Sequence, residues 1–172
     1  MQQDYLLVRR MQNGDEEAME LFVREYYPFI LKYCYYHCPD RESAQDLTQE
    51  TFTRFFTKLS AYRHRGKALN YLYTIAGNLC IDFMRKNRNG YGVPFEMSPE
   101  NETVGENETA GVEEKIIMEE ALKKLPDELR EVVILHYFQE LSLKETAAVL
   151  QIGLPLAKYR IAKAREKLRG ML

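Results

Sequence analysis

At 172 residues, 45% hydrophobic and 12% aromatic, the chain is long enough for one large or two small hydrophobic cores. A net charge of −2 excludes a general polycation, so any affinity for nucleic acid must come from local patches or from a partner. No apolar run approaches the roughly 20 residues of a membrane span, and Met1-Gln2-Gln3-Asp4 lacks the basic and apolar regions of a signal peptide, so a cytoplasmic protein without membrane insertion is expected.

From residue 4 to 87 the pattern is helical, with no strand alternation. Tyr5, Leu6, Leu7 and Met11 form the first apolar face, up to the break at Asn13-Gly14-Asp15. Asp15 caps the next helix, whose apolar positions Met19, Leu21, Phe22, Tyr26, Phe29, Ile30 and Tyr33 run through Pro28, where a kink is expected, to a stop at Pro39-Asp40. A helix over Ser43–Leu59 turns Leu47, Phe52, Phe55, Phe56 and Leu59 to a core, leaving Asp46, Gln49, Glu50, Thr53 and Arg54 outside. Tyr62-Arg63-His64-Arg65-Gly66-Lys67 is a basic loop, and the helix after it buries Leu72, Ile75, Ala76, Leu79 and Phe83. The loop's cations beside Tyr62, Tyr71 and Tyr73 suit phosphates and unstacked bases; aromatics at this spacing also suit a core.

Between Arg88 and Val112 the composition changes to four Gly, two Pro, five acidic residues and one basic one. The hexapeptide Glu100–Gly105 is nearly repeated as Glu106–Gly111, with too little apolar surface to fold alone, so a flexible acidic linker is expected. It separates two near-neutral regions, 1–87 with twelve basic and eleven acidic residues and 113–172 with eleven and ten.

The second region opens with a helix over Glu113–Lys124 that presents Ile116, Ile117, Ala121 and Leu122. Leu125-Pro126-Asp127 starts a supporting helix, with Leu129, Val132 and Val133 at helical spacing, that ends near Gln139. Ser142-Leu143-Lys144-Glu145 is a capping box opening another helix, with the small residues Ala147 and Ala148. After a break at Gln151-Ile152-Gly153, Pro155 restarts a helix in which six of the fourteen residues from Leu156 to Arg169 are Lys or Arg. Ile161, Ala164 and Leu168 face inward there, leaving Lys158, Arg160, Lys163, Arg165 and Lys167 on open sides. This is the order of a helix-turn-helix whose last helix enters a major groove, although an amphipathic terminal helix with solvated cations has the same residues.

Cys34, Cys38 and Cys80 are an odd set for a disulfide framework. Cys34 and Cys38, with His37 between them, share a helical face on which two thiolates could bind a metal, but a zinc site needs four ligands and the run Tyr33-Cys34-Tyr35-Tyr36 suits buried packing. No metal and no cofactor are expected.

Three motifs in order resemble the extracytoplasmic-function (ECF) group of bacterial sigma-70 RNA polymerase sigma factors. Ser43-Ala44-Gln45-Asp46-Leu47-Thr48-Gln49-Glu50-Thr51-Phe52 is similar to the family's D-A-E-D-L-x-Q-E-x-F stretch in region 2. Tyr71 to Asn78 with Asp82 and Arg85, and Leu125-Pro126 to Arg130 with Glu145-Thr146-Ala147 and the Lys158, Arg160, Ala164, Arg165, Leu168 pattern of region 4, extend the resemblance along nearly the whole chain. It implies an all-α protein of two small helical domains, region 2 at 1–87 and region 4 at 113–172, joined by the linker at 88–112. The implied partners are core RNA polymerase, through its largest-subunit clamp helices and flap, promoter DNA, and an anti-sigma factor. Asp46, Gln49, Glu50 and Arg54 would dock on polymerase. Tyr62, Arg63, His64, Arg65, Lys67, Asn78 and Arg85 would hold the melted downstream element, with a base flipped into a pocket near Tyr62 and Asn78. Lys158, Tyr159, Arg160, Lys163 and Arg165 would read the upstream element.

The sequence departs from the family at Pro155-Leu156-Ala157-Lys158-Tyr159-Arg160, where a small residue and Thr usually precede Val-Lys-Ser-Arg, and at Tyr71, where Trp is usual. Leu156 cannot donate to a phosphate and Tyr159 is bulkier than Ser, so the upstream sequence read is expected to differ. Two other readings compete: a stand-alone helix-turn-helix regulator, and an enzyme or metal sensor built on Cys34, His37 and Cys38. No nucleophile-base pair or phosphate-cradling loop supports an enzyme.

Overall fold

The computed structural model describes residues 2–38, 40–64, 66–89 and 120–171, and among them every regular element is helical. The chain divides into two compact units, Met1–Met97 and Ser98–Leu172. The expected linker and the start of the helix expected at Glu113 lie mostly outside the described residues, as do Pro39 and Arg65. No described helix is long and apolar enough to cross a membrane.

The first unit holds α1 (Gln2–Gln12), α2 (Glu16–Tyr35), α3 (Arg41–Thr57), a 3₁₀ turn at Leu59–Ala61 and α4 (Ala68–Asn89). Asp15 caps α2 as expected, its carboxylate accepting from the Ala18 N–H at 3.1 Å, and α2 continues through Pro28. The start of α3 moves to Arg41, because Asp40 and not Ser43 supplies the cap: its side chain accepts from the Ser43 N–H at 2.7 Å. α4 runs two residues past the expected boundary.

The core lies where α2, α3 and α4 meet and is mainly aromatic. Phe22 stacks on Phe55 at 4.7 Å, while Tyr33 lies 5.4 Å from Tyr73. A Cβ on Gly77 would come within 3.0 Å of the Tyr33 hydroxyl, so glycine lets α4 approach α2 here. Thr48 and Thr51 are fully buried within α3 and satisfy their hydroxyls on the carbonyls of Ala44 and Leu47, both at 2.7 Å. Four expected core positions prove exposed: Tyr5, Leu6, Leu21 and Phe29. α1 buries Val8 beside the expected Met11, and α2 adds Ala18 and Cys34. In a run such as Leu6-Leu7-Val8, adjacent apolar residues leave the inward face undetermined, and packing on the neighbouring helices selects it.

In the second unit, a helical turn at 120–124 precedes α5 (Asp127–Val133), whose end widens into a π-helical turn at Ile134–Phe138, with the Gln139 N–H on the Ile134 carbonyl at 3.0 Å. Next come α6 (Leu143–Val149) and α7 (Leu154–Arg169). The core is aliphatic: Leu122, Leu125, Leu129, Val132, Val133, Ile161 and Ala164, edged by Phe138, Leu143, Leu150 and Leu168.

The Ser142 capping box is present in full, the Glu145 N–H bonding the Ser142 hydroxyl at 3.2 Å and the Ser142 N–H returning to the Glu145 carboxylate at 3.0 Å. Of the small residues of α6, Ala147 is buried together with Thr146, and Ala148 faces outward. α6 ends in a Schellman motif: the Ile152 N–H reaches the Ala147 carbonyl at 2.9 Å and the Gln151 N–H the Ala148 carbonyl at 3.2 Å. The left-handed residue is Gln151, φ +55, and not Gly153, which has φ −69 and precedes α7. The turn thus has its glycine two residues after the position that benefits most from one.

Candidate nucleic-acid interface

Three surfaces carry the residues singled out from the sequence. On α3, Asp46, Gln49, Glu50 and Arg54 fall at helical spacing on the side opposite Thr48 and Thr51, with Glu50 half-buried and the others exposed. The Arg54 Nε lies 2.7 Å from Glu50 Oε1, an i, i+4 pair of the kind that contributes only a few tenths of a kcal/mol. Its main effect is to fix an acid and a base side by side.

The second surface joins the loop after the 3₁₀ turn to α4. Tyr62 stacks on Tyr71 at 4.9 Å and 29°, while its edge meets the core ring of Phe55 at 5.3 Å. The Gln12 amide donates to the Leu59 carbonyl at 2.9 Å and the Tyr62 carbonyl at 2.8 Å, anchoring the loop to α1. The Tyr62 hydroxyl lies 3.4 Å from His64 Nδ1, and burial pushes its pKa up to about 12, so it stays a neutral phenol. Arg63 and Lys67 are exposed on either side of Gly66, which adopts φ +89. Arg65 lies outside the described residues.

Along α4, Tyr71, Thr74, Asn78, Asp82 and Arg85 recur at steps of three and four and form one stripe, half-buried at Tyr71 and Thr74 beside the loop and exposed at Asn78, Asp82 and Arg85, with Arg85 Nη1 3.6 Å from Asp82. Tyr73 does not join this surface: its ring is fully buried against Tyr33, and burial raises its pKa.

The third surface is the open side of α7. Lys158, Tyr159, Lys163 and Arg165 are exposed. Arg160, expected to be open, is drawn across to α5, with Nη2 2.9 Å from Glu128 and its side chain 18% exposed. Arg165 donates to the Tyr137 hydroxyl with its guanidinium carbon 5.5 Å from the ring, and Lys163 donates to the Tyr159 hydroxyl at 3.2 Å. Glu128 and Tyr137 went unread in the sequence because they sit 32 and 28 residues from their partners, with no local pattern to pair them.

All three cysteines are buried. Cys34 faces Cys80 on α4, sulfur to sulfur at 4.0 Å, and the Cys80 thiol lowers its pKa; burial pushes the Cys38 thiol up to about 12. No group of three or more His, Cys, Asp or Glu side chains suited to a metal occurs among the described residues, which include Cys34, His37 and Cys38.

Comparison with known proteins matches residues 22–90 to sigma-70 region 2 and residues 115–168 to sigma-70 region 4. The ECF RNA polymerase sigma factor SigW of Bacillus subtilis (strain 168) is 30% identical, over 96% of this chain and 94% of the relative. SigM of the same organism is 27% identical, over 91% and 93%. In fold, the chain is similar to CnrH in its complex with the cytosolic domain of CnrY, with a TM-score of 0.76, 21% identity and coverage of 98% and 96%. A second likeness is to the sigma factor RpoE bound to the anti-sigma factor NepR from Bartonella quintana, with a TM-score of 0.71, 22% identity and coverage of 88% and 94%.

Proposed function

Since this chain belongs to the ECF group of the sigma-70 family and is an RNA polymerase sigma factor, we propose how its two units divide transcription initiation. The first unit, with a functional boundary at residue 87, docks on the clamp helices of the largest polymerase subunit through Asp46, Gln49, Glu50 and Arg54, and its loop and α4 stripe hold the displaced strand. The second unit, from residue 113, engages the flap and lays α7 in the major groove of the upstream element.

The observation that carries this reading is the stack of Tyr62 on Tyr71 at the foot of the α4 stripe. A flipped base needs an aromatic face, a hydrogen-bonding edge and cations for its phosphates. Tyr62 and Tyr71 offer the face, Asn78 the edge partner, and Arg63, His64, Lys67 and Arg85 the polar and cationic surroundings; Arg65 is the remaining basic residue of the same loop. The unstacking cost of a few kcal/mol is offset by that capture together with polymerase contacts.

On α7, Lys158, Tyr159, Arg160, Lys163 and Arg165 divide between phosphates and bases, phosphate contacts setting register and base contacts specificity. With a net charge of −2, the free factor binds promoters weakly and acquires affinity within the holoenzyme. It acts in the cytoplasm, and no chemical step is assigned to it. An anti-sigma factor that covers both units is its expected inhibitor, as NepR is bound to RpoE in the structure of similar fold.

The test is run-off transcription by core polymerase with and without the chain. Promoter-dependent transcripts and a stable complex with core enzyme are expected. A chain that binds an operator tightly without polymerase and never joins it would instead be the stand-alone regulator.

A further inference from the structure

The open side of α7 carries exposed apolar residues toward its N-terminal end, bordered by cations, with Lys163 one turn beyond Tyr159 on the same face and donating to its hydroxyl at 3.2 Å. At about 100° per residue, Pro155, Leu156, Tyr159 and Ala162 project away from the buried stripe of Ala157, Ile161 and Ala164. Lys158 and Arg165 border this strip on one side, and Arg160 and Lys167 on the other. Leu156 is 41% and Tyr159 58% exposed.

Two guanidinium groups of the helix are held at these margins, Arg160 by Glu128 and Arg165 by Tyr137, and Arg169 lies in its last turn. Glu166 shares the open side but lies toward the C-terminal end, past the N-terminal residues of a recognition helix that reach base edges. At the N-terminal end of α7, ahead of Lys163, exposed apolar side chains flanked by cations are complementary to a DNA groove, with phosphates along both rims and base edges between them. Among those edges the thymine C5-methyl is the apolar one.

We propose that Leu156 and Tyr159 are specificity-determining residues that read thymine methyl groups in the upstream element. The inference rests on the placement of α7 in the upstream major groove. Its consequence is an upstream element with thymine, on either strand, at the one or two positions under these side chains. Arg160 and Arg165 then serve the flanking phosphates from their tethered positions.

The test uses the holoenzyme, core polymerase with the full chain, on a promoter obtained by transcript mapping. Each upstream thymine is replaced by deoxyuridine, which removes the methyl and leaves base pairing intact. Loss of a contacted methyl should weaken binding roughly fourfold, the equivalent of about 0.8 kcal/mol, at one or two positions. Replacing the same T·A pair by 5-methylcytosine·guanine, which restores the methyl, should recover part of the loss. With Leu156→Ala or Tyr159→Ser the deoxyuridine penalty should vanish at one position each; both side chains are exposed, so the variants keep their fold.

Uniform indifference to deoxyuridine while the upstream duplex remains protected would overturn the methyl readout and leave the placement of α7 standing. So would a penalty that persists unchanged in both variants. An upstream duplex that gains no protection from the holoenzyme, with Lys158→Ala binding as wild type, would overturn the placement and the inference with it.

Discussion

In the first unit the core is built on aromatic side chains, with Phe22, Tyr33, Phe55 and Tyr73 packed between helices; in the second the core is aliphatic, and Tyr137 and Tyr159 stand at the surface beside Arg165 and Lys163. The two proposed DNA surfaces are therefore supported in different ways. The loop at Tyr62 rests directly on the core through Phe55, so damage to that core reaches the loop. The face of α7 is arranged by pairs of surface side chains, which can be cut without unfolding the unit.

The largest effect that separates the two follows from Phe55→Ala. Removing a fully buried ring in contact with Phe22, Tyr62 and Tyr71 should cost about 3–5 kcal/mol. Amide hydrogen exchange on the full chain should show protection lost across residues 16–89 and kept in 120–169; equal loss in both would break the comparison.

Alkaline pH should produce a smaller difference of the same kind. Burial raises Tyr62, from an ordinary 10.0, and Cys38, from 9.0, each to about 12, and raises Tyr26 and Tyr73 as well. Each group folds as its neutral form, so its contribution is complete below pH 9 and falls as pH rises toward 12. Thermal melts followed by hydrogen exchange between pH 8 and 11 should show the first unit weakening earlier than the second.

Two substitutions at the ends of α6 sharpen the contrast with opposite signs. Ser142→Ala should destabilise the second unit by about 1 kcal/mol through loss of the capping box, and Gln151→Gly should stabilise it by up to about 1 kcal/mol by relieving a left-handed residue. Denaturant midpoints give both values, and neither change should alter the first unit. The smallest stability change belongs to Glu50→Gln, below about 0.5 kcal/mol for an exposed i, i+4 pair. Its affinity for core polymerase, measured by titration, should nonetheless fall if this face docks.

Local rules recovered much of the fold. The Asp15 cap, the Ser142 box and the turn to α7 each depend on residues within a few positions of one another, so their spacing in the sequence was enough. The buried stripe of α4 was legible for the same reason, through Leu72, Ala76 and Leu79, whereas Tyr73, grouped from the sequence with the aromatic residues near the loop, belongs to the core. What escaped the sequence was set by packing between distant segments: the choice of Val8 over Tyr5 and Leu6 on α1, the Gln12 bonds to the Tyr62 loop, and the Glu128 and Tyr137 partners of Arg160 and Arg165. The left-handed residue at Gln151 escaped too, because Gly153 nearby offered the stronger signal.

The division of labour between the two units is tested most directly by permanganate reactivity of promoter thymines in holoenzyme complexes. With Arg63, Lys67 and Asn78 replaced together by Ala, upstream protection should persist while downstream thymines stay unreactive. With Lys158 and Tyr159 replaced by Ala, occupancy should fall on duplex promoter and recover on a template opened in advance. Normal thymine reactivity in the first variant, or no recovery on the opened template in the second, would contradict the account.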